Sequence, residues 1–560
     1  MYRCPNCGGE MRFSPEKQLL VCDFCDSEFS VDEFDDKKGV NAEEHTEAEA
    51  QEKDAGSEDD EKYFEATVFT CPQCGGELVS MSDTAATFCS FCGASVLLES
   101  RVSREMRPDC IIPFKKSKEE CTKAYKKMLS KALFVPSEMK KDSEIEKFRS
   151  IYMPYWIYDY EFHGAFSARG QESHRSGDYI ITRTYALDSE ADAEYSGISF
   201  DASSSFSDSL STAVAPFDIK EAVDFKPAYM TGHYADAKDL EFYIYEEDAK
   251  KIIRTDMAEK ICDADASYEK HGADEDAIAR VCEPKLKGTK LGFFPVWFLS
   301  GRNKAGDRVS YAVMNGQTGK IAADLPVSMP KYLLGSLILA VPIFILMNFV
   351  LNLTFTPKFM LIAALIIGVI CILVVNYEAN KAYSRENDLD DKGRQAVLKR
   401  GRKSEKTART KNSTPSFDLS KIFNKGTVSG VLVIAFFIFL NSDLDMGILQ
   451  YLLPVLIVLV ILMWVTGGIK KTKKKPAAGK IVTSAPFSEK KILLLKPLAG
   501  IILAGVLILI NPNQDIIPYA AGVIAMALNF WSFTDIIKKH NELTMRKLPQ
   551  LGRRGGDEDA

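Results

Sequence analysis

The sequence predicts a multidomain protein: two small cysteine-built ribbons, a soluble α+β domain, and an all-α transmembrane region of about six helices in three hairpins. Three observations predict it. Four Cys-x-x-Cys pairs fall within the first 92 residues, residues 101–328 have a globular composition, and six long uncharged apolar runs follow from about residue 329. The expected order is ribbon 1 (1–31), acidic linker (32–62), ribbon 2 (63–100) and α+β domain (101–328). Three hairpins (329–380, 426–469, 492–536), two basic loops (381–425, 470–491) and a tail (537–560) complete it.

The ribbons rest on an internal repeat. Cys4-x-x-Cys7 and Cys22-x-x-Cys25 are separated by fourteen residues, and Cys71-x-x-Cys74 and Cys89-x-x-Cys92 repeat that spacing. Four thiolates close a tetrahedral zinc site, and a C-x-x-C turn presents two of them from one tight knuckle. Two structural zinc ions are therefore expected, one per quartet. A dithiol redox centre, the alternative, would need an exposed pair with no second pair nearby. Gly8 and Gly75 follow the first knuckles, where freedom to take positive φ is useful. Asp26 stands where Gly93 follows the matching cysteine of the second module. The first pair begins at Cys4, with no basic-then-apolar leader before it, so the ribbons are expected in the reducing cytosol.

Charge narrows their use. Residues 63–100 contain no Lys or Arg and four acidic residues, and residues 1–31 carry three basic against five acidic. Displacing counterions from a phosphate backbone needs a basic patch, so protein docking is expected over nucleic-acid binding. Residues 32–62 hold fourteen Asp or Glu against four Lys, the composition of a disordered tether.

Within 101–328, Ser117 and Glu120 form a capping box ahead of Cys121, Ala124, Tyr125, Met128, Leu129, Ala132 and Leu133 at helical spacing. Lysines 123, 126, 127 and 131 take the other face, a solvated surface or one apposed to an anionic membrane. Tyr179–Tyr185, Glu241–Tyr245 and Val309–Met314 read as strands, Asn315-Gly316 and Thr318-Gly319 as turns, and 246–282 as a helix. Asp201–Ser211 reads as a flexible serine-rich loop.

Residues 332–357, 359–377, 426–442, 446–469, 497–514 and 516–534 carry no charge. A bilayer core of ~30 Å needs ~20 apolar residues, so each is a candidate span. The loops at 378–425, 470–491 and 538–554 hold thirteen, eight and six Lys or Arg, while the intervening short connections hold only Lys358. Positive charge stays inside, which puts both termini in the cytoplasm of a multi-pass protein. Absence of intramembrane charge favours an anchor over a transporter or channel with a zinc-ribbon regulatory head.

Scattered histidines (45, 163, 174, 233, 271, 540) and cysteines (110, 121, 262, 282, 371) form no ligand pattern, with surface, turn or packing roles expected. No nucleotide-binding loop or nucleophile elbow is present, so no enzyme is expected.

The knuckles of form C-P-x-C-G, Ile112-Pro113-Phe114, Tyr152-Met153-Pro154-Tyr155-Trp156, Phe294-Pro295-Val296-Trp297 and Met314-Asn-Gly-Gln-Thr-Gly319-Lys320 followed by Leu325-Pro326 occur together over 68–335. In this the chain resembles bacterial membrane-anchored zinc-ribbon proteins of transcription-factor-IIB type, often mislabelled primosomal helicase-like. The resemblance implies a scaffold at the bacterial inner membrane in envelope maintenance, with phage-shock-protein-A-like or flotillin-like partners and no established catalysis. The paired Pro-x-Trp segments themselves read as strand starts, with Trp156 and Trp297 supplying buried surface.

Overall fold

The computed structural model describes residues 2–34, 62–81, 88–264, 268, 275–303, 305–346, 356–403, 487–510 and 516–551. Residues 35–61 of the acidic linker expected over 32–62, the second hairpin at 426–469, residues 404–425 of the first basic loop and most of the second lie outside the described residues. The chain divides into two compact units. Unit 1 holds residues 1–334, 385–401 and 541–560, and unit 2 holds 335–384 and 402–540.

Unit 1 opens with a small sheet of β1 (Met11–Ser14), β2 (Leu19–Cys22) and β3 (Glu28–Phe29). Then come β4 (Tyr63–Thr70), β5 (Glu77–Ser80), β6 (Glu99–Met106), β7 (Cys110–Ile111) and α1 (Lys118–Lys131). The long hairpin of β8 (Arg149–Ser176) and β9 (Tyr179–Asp201) leads to α2 (Asp208–Val214), β10 (Val223–Asp224) and β11 (Tyr234–Asp236). Two helices, α3 (Glu246–Ala264) and α4 (Glu275–Ala279), precede β12 (Lys285–Arg302), β13 (Arg308–Asn315) and β14 (Ile321–Ala323). One twelve-stranded sheet runs β10-β7-β12-β8-β11-β5-β4-β6, with β9 on β8 and β13 on β12. The strands flanking the second cysteine quartet are thus part of the same sheet as the α+β region.

Local rules hold at α1. The Ser117 hydroxyl accepts from the Glu120 amide, the Glu120 carboxylate accepts from the Ser117 amide, and Cys121, Tyr125 and Leu129 are buried. Leu133, expected on the same face, is exposed because the helix ends at Lys131. Two further expectations need correction. Residues Phe242–Ile244 form a 3-10 turn rather than a strand, freeing the Leu240 and Phe242 carbonyls to accept from Trp156 and Tyr158. Of the helix expected over 246–282, the described residues form α3 and α4, and helix ends at Ala279 rather than at 282.

The Pro-x-Trp prolines lie inside β8 and β12, not at strand starts, as cross-strand pairs Pro154–Phe293 and Pro295–Tyr152. Each stands where one ladder ends while the other continues. The Pro154 carbonyl accepts from Ala202, just past the last β8–β9 pair, and the Pro295 carbonyl accepts from Gly316, just past the last β12–β13 pair. In a strand the N–H of a residue points to the same side as its carbonyl, so the missing donor costs no ladder bond. Trp156 and Trp297 are buried, donating to the Leu240 and Lys116 carbonyls.

The serine-rich segment is packed, not a flexible loop. Asp201–Ser207 is buried, with Ser203 and Ser205 donating to Asp236 and Ser204 to Asp239. Both aspartates come from some thirty residues away, a pairing that local composition does not encode.

Beyond β14 the chain forms α5 (Met329–Ile345), α6 (Pro357–Glu386), α7 (Lys392–Lys403), α8 (Phe487–Ile510), α9 (Ile516–Thr544) and β15 (Arg546–Lys547). Three of these helices, α6, α8 and α9, are long and apolar enough to cross a membrane. In unit 2 they pack through Leu361, Leu365, Ile372, Ile501, Ala521 and Ala525. Small residues allow the approach: a Cβ on Gly368 would meet Ile501 at 2.6 Å. Asn529 of α9 donates to the Ala364 carbonyl at 2.8 Å, and Lys496 of α8 pairs with Asp535 of α9 at 2.5 Å. The apolar helices therefore carry a buried amide and an ion pair, where the uncharged runs had suggested neither.

Candidate metal centres

Each quartet is built from two copies of one backbone turn. In all four, the first cysteine N–H donates to the carbonyl five residues on, and its carbonyl accepts from the amide four residues on. The pairs are Cys4 with Gly9 and Gly8, Cys22 with Ser27 and Asp26, Cys71 with Gly76 and Gly75, and Cys89 with Ala94 and Gly93. The residue after each Cys-x-x-Cys pair must take positive φ, which Gly8, Gly75 and Gly93 do at 74°, 69° and 70°. Asp26 does so at 54°, one of three non-glycine residues at positive φ among the described residues.

The eight predicted ligands come together as expected: Cys4, Cys7, Cys22, Cys25 in one group and Cys71, Cys74, Cys89, Cys92 in the other, with sulfurs mutually within 4.8 Å. Facing pairs stand at 3.6 Å (Cys4–Cys25), 3.4 Å (Cys7–Cys22), 3.8 Å (Cys71–Cys92) and 3.6 Å (Cys74–Cys89). A tetrahedral ion ~2.3 Å from each thiolate separates its ligands by ~3.8 Å, so both groups fit one closed metal site. All eight cysteines are free thiols.

Protons are shared unevenly among these sulfurs. The Ser27 hydroxyl, 3.1 Å away, and its amide draw the Cys25 thiol down to about 6. The Gly9 amide favours the Cys7 thiolate, but hydrogen bonding with Cys25 and Cys22 outweighs it and carries that thiol up to about 12. In the second group hydrogen bonds from Cys74, Cys89 and Cys92 pull Cys71 well below the ordinary thiol value. Cys74 and Cys89 rise, first through hydrogen bonding with Cys71. Without a cation four crowded sulfurs cannot all ionise; a divalent ion relieves the repulsion and displaces the protons.

The surroundings differ. Cys7 and Cys25 are exposed, whereas all four sulfurs of the second group are buried. Around the second group, Arg302 donates to the Cys92 carbonyl, Tyr311 to the Phe91 carbonyl at 2.7 Å, and the Leu551 amide to the Cys74 carbonyl at 2.6 Å. These supports come from β12, β13 and the C-terminal segment, some hundreds of residues away, and carried no signal in the sequence.

Outside the quartets the structure gathers no further group of three or more His, Cys, Asp or Glu able to hold a metal, among the described residues. His233, expected at a turn or on the surface, is buried, with Nδ1 2.7 Å from the Ser150 hydroxyl and its ring stacked on Phe114. The Asn315–Lys320 turn is structural: Asn315 donates to the Val214 and Pro216 carbonyls and accepts from the Gln317 and Thr318 amides.

Comparison with known proteins gives one informative likeness. The chain is 28% identical over 339 residues to the Bacillus subtilis (strain 168) protein called Uncharacterized protein YdjG, covering 59% of this chain and 91% of that one. No family model matches, and no solved structure matches.

Proposed function

We propose that this chain is a non-enzymatic adaptor of the bacterial inner membrane, in which two structural zinc ions organise a cytoplasmic head that docks protein partners. The observation that carries it is the pair of closed four-cysteine groups, each with no ligand position left for substrate, in a chain with membrane-length helices. Zinc is the ion favoured by four thiolates in a tetrahedron. The acidic balance of both modules supports protein over nucleic acid as the partner. Phage-shock-protein-A-like or flotillin-like partners follow from the resemblance at 68–335. Six spans with both termini cytoplasmic follow from the apolar runs and the basic loops.

Deletion of residues 1–31 tests the adaptor, because it removes one module without touching the twelve-stranded sheet. Crosslinked pulldown should then lose partners, membrane insertion should persist, and bound zinc should fall from two per chain to one. Unchanged partners would sink the role of the first module. A second reading, transport, gains support from the Lys496–Asp535 pair and the Asn529 amide within the helices. Solute flux in reconstituted vesicles that disappears in Asp535→Asn would favour it.

A further inference from the structure

Three arginines of unit 1 approach the serine-rich segment: Arg385 in the last turn of α6, Arg394 in α7, and Arg546 two residues beyond α9. Arg394 is buried and satisfied, bonding Asp388 at 2.9 Å and the Ser204 carbonyl at 3.1 Å, with Asp391 at 3.7 Å. Arg385 gives Nη1 to the Leu543 carbonyl at 2.6 Å and has carboxylates only at the edge of ion-pairing range, Asp324 at 3.7 Å and Asp390 at 3.8 Å. Neighbouring Arg308 and Lys547 share Glu386.

Arg546 is the anomaly. It is only 8% exposed, its Nε has no hydrogen-bond partner, and it makes no ion pair among the described residues. Its one side-chain bond is Nη2 to the Ser209 hydroxyl at 2.8 Å. That same hydroxyl accepts from Arg385 Nη2 at 3.1 Å, and Ser209 is exposed. Burial, then repulsion from Arg385 and Arg394, hold the Arg546 guanidinium below its ordinary value, with Asp324 attracting it from farther away. A buried guanidinium without a counter-ion is costly, whereas two guanidinium forks around one hydroxyl suit a tetrahedral oxyanion.

We propose that Arg546, Arg385 and the Ser209 hydroxyl form a site for a phosphoryl oxyanion, such as an anionic phospholipid headgroup or free phosphate carries. The anion supplies the charge that Arg546 lacks. It also ties the end of α6 and the segment that follows α9 to the serine segment, because each contributes one of the three groups.

The full chain, purified in neutral detergent without phosphate, tests this by thermal unfolding. Potassium phosphate should raise the wild-type midpoint by roughly 2–4 °C over potassium chloride of equal ionic strength if free phosphate suffices. If the headgroup is the ligand, the rise should instead appear in nanodiscs containing phosphatidylglycerol and not in phosphatidylcholine alone. Arg546→Gln should abolish whichever response is seen. Ser209→Glu places a carboxylate between the guanidiniums, so it should raise the midpoint without ligand and remove the response. The proposal is overturned by a wild type blind to both ligands, by an Arg546→Gln response equal to wild type, or by a Ser209→Glu variant that still responds.

Discussion

The two cysteine modules share spacing, knuckle hydrogen bonds and sulfur separations, yet one is a surface and the other a core. The clearest contrast is a single residue. Phe24 and Phe91 each precede the fourth cysteine of their quartet; Phe24 is 77% exposed and Phe91 is 1% exposed. Phe91 packs on Phe298 at 6.2 Å, Leu551 lies over Gly76 beside it, and its carbonyl accepts from Tyr311. The first module seats one face on the body, through the Phe13 amide to the Thr231 carbonyl and the Gln18 amide to the Phe114 carbonyl. Its other face is left open. One metal-binding pattern has thus served two ends: an internal brace for the sheet, and a presented knuckle with an aromatic at its tip. On the adaptor reading proposed above, Phe24 is the side chain of the first module that a partner would bury.

Truncating the two phenylalanines breaks that contrast most sharply. Phe91→Ala opens a cavity beneath the second metal centre and should cost about 3–5 kcal/mol. Phe24→Ala should leave stability within about 0.5 kcal/mol of wild type while reducing partner recovery in crosslinked pulldown. Urea unfolding followed by fluorescence reads the first effect. Equal losses for both variants would mean that the two modules are equally built in.

Acid should distinguish the modules next. His233 lies under the first module, its ring 6.3 Å from that of Phe13, and burial lowers it from 6.5 to about 4. Arg12 adds to the depression. At pH 7 the ring is neutral in the folded chain and mostly neutral in the unfolded one, so it contributes little pH dependence there. As pH falls through 6.5 the unfolded chain takes up a proton that the folded chain refuses until about 4, so stability drops, by about 2 kcal/mol at pH 5. Comparing urea midpoints at pH 7 and pH 5 for the wild type and His233→Gln isolates this part from any loss of metal. A slope unchanged in the variant would place the acid sensitivity elsewhere.

What the sequence made legible was what short-range chemistry dictates. Two C-x-x-C knuckles fourteen residues apart define a metal site by themselves, and Ser117 with Glu120 defines a helix start, because every partner lies within a few residues. The long helices were visible because the bilayer imposes a length on composition alone. Contacts made at long separation were illegible. Strand β11, at residues 234–236, joins β5 to β8 and so merges the second module with the α+β sheet. Asp236 and Asp239 order the serine segment from thirty or more residues away. The apolar run that stopped at residue 534 hid Asp535, whose partner Lys496 sits on another helix. His233 resembled any isolated histidine until the Phe114 ring was found stacked on it at 4.7 Å.

The smallest expected difference lies in one backbone angle. Both modules require positive φ after the fourth cysteine, and the second meets it with Gly93, the first with Asp26. An L-residue held there pays roughly 1 kcal/mol, less for Asp than for most, and glycine returns part of it through its greater freedom when unfolded. Asp26→Gly should therefore tighten the first site by only about 0.5 kcal/mol, seen as a modest lengthening of zinc release to a chelator. The reverse change is not symmetric. A Cβ on Gly93 would meet the Arg302 side chain at 3.2 Å and the Ser300 carbonyl at 3.3 Å, inside the packed sheet, whereas a side chain at 26 stands in the open. Gly93→Asp should cost at least about 2 kcal/mol, and if it instead proves as mild as Asp26→Gly, the second knuckle is not clamped by β12 and the distinction between brace and presented surface fails.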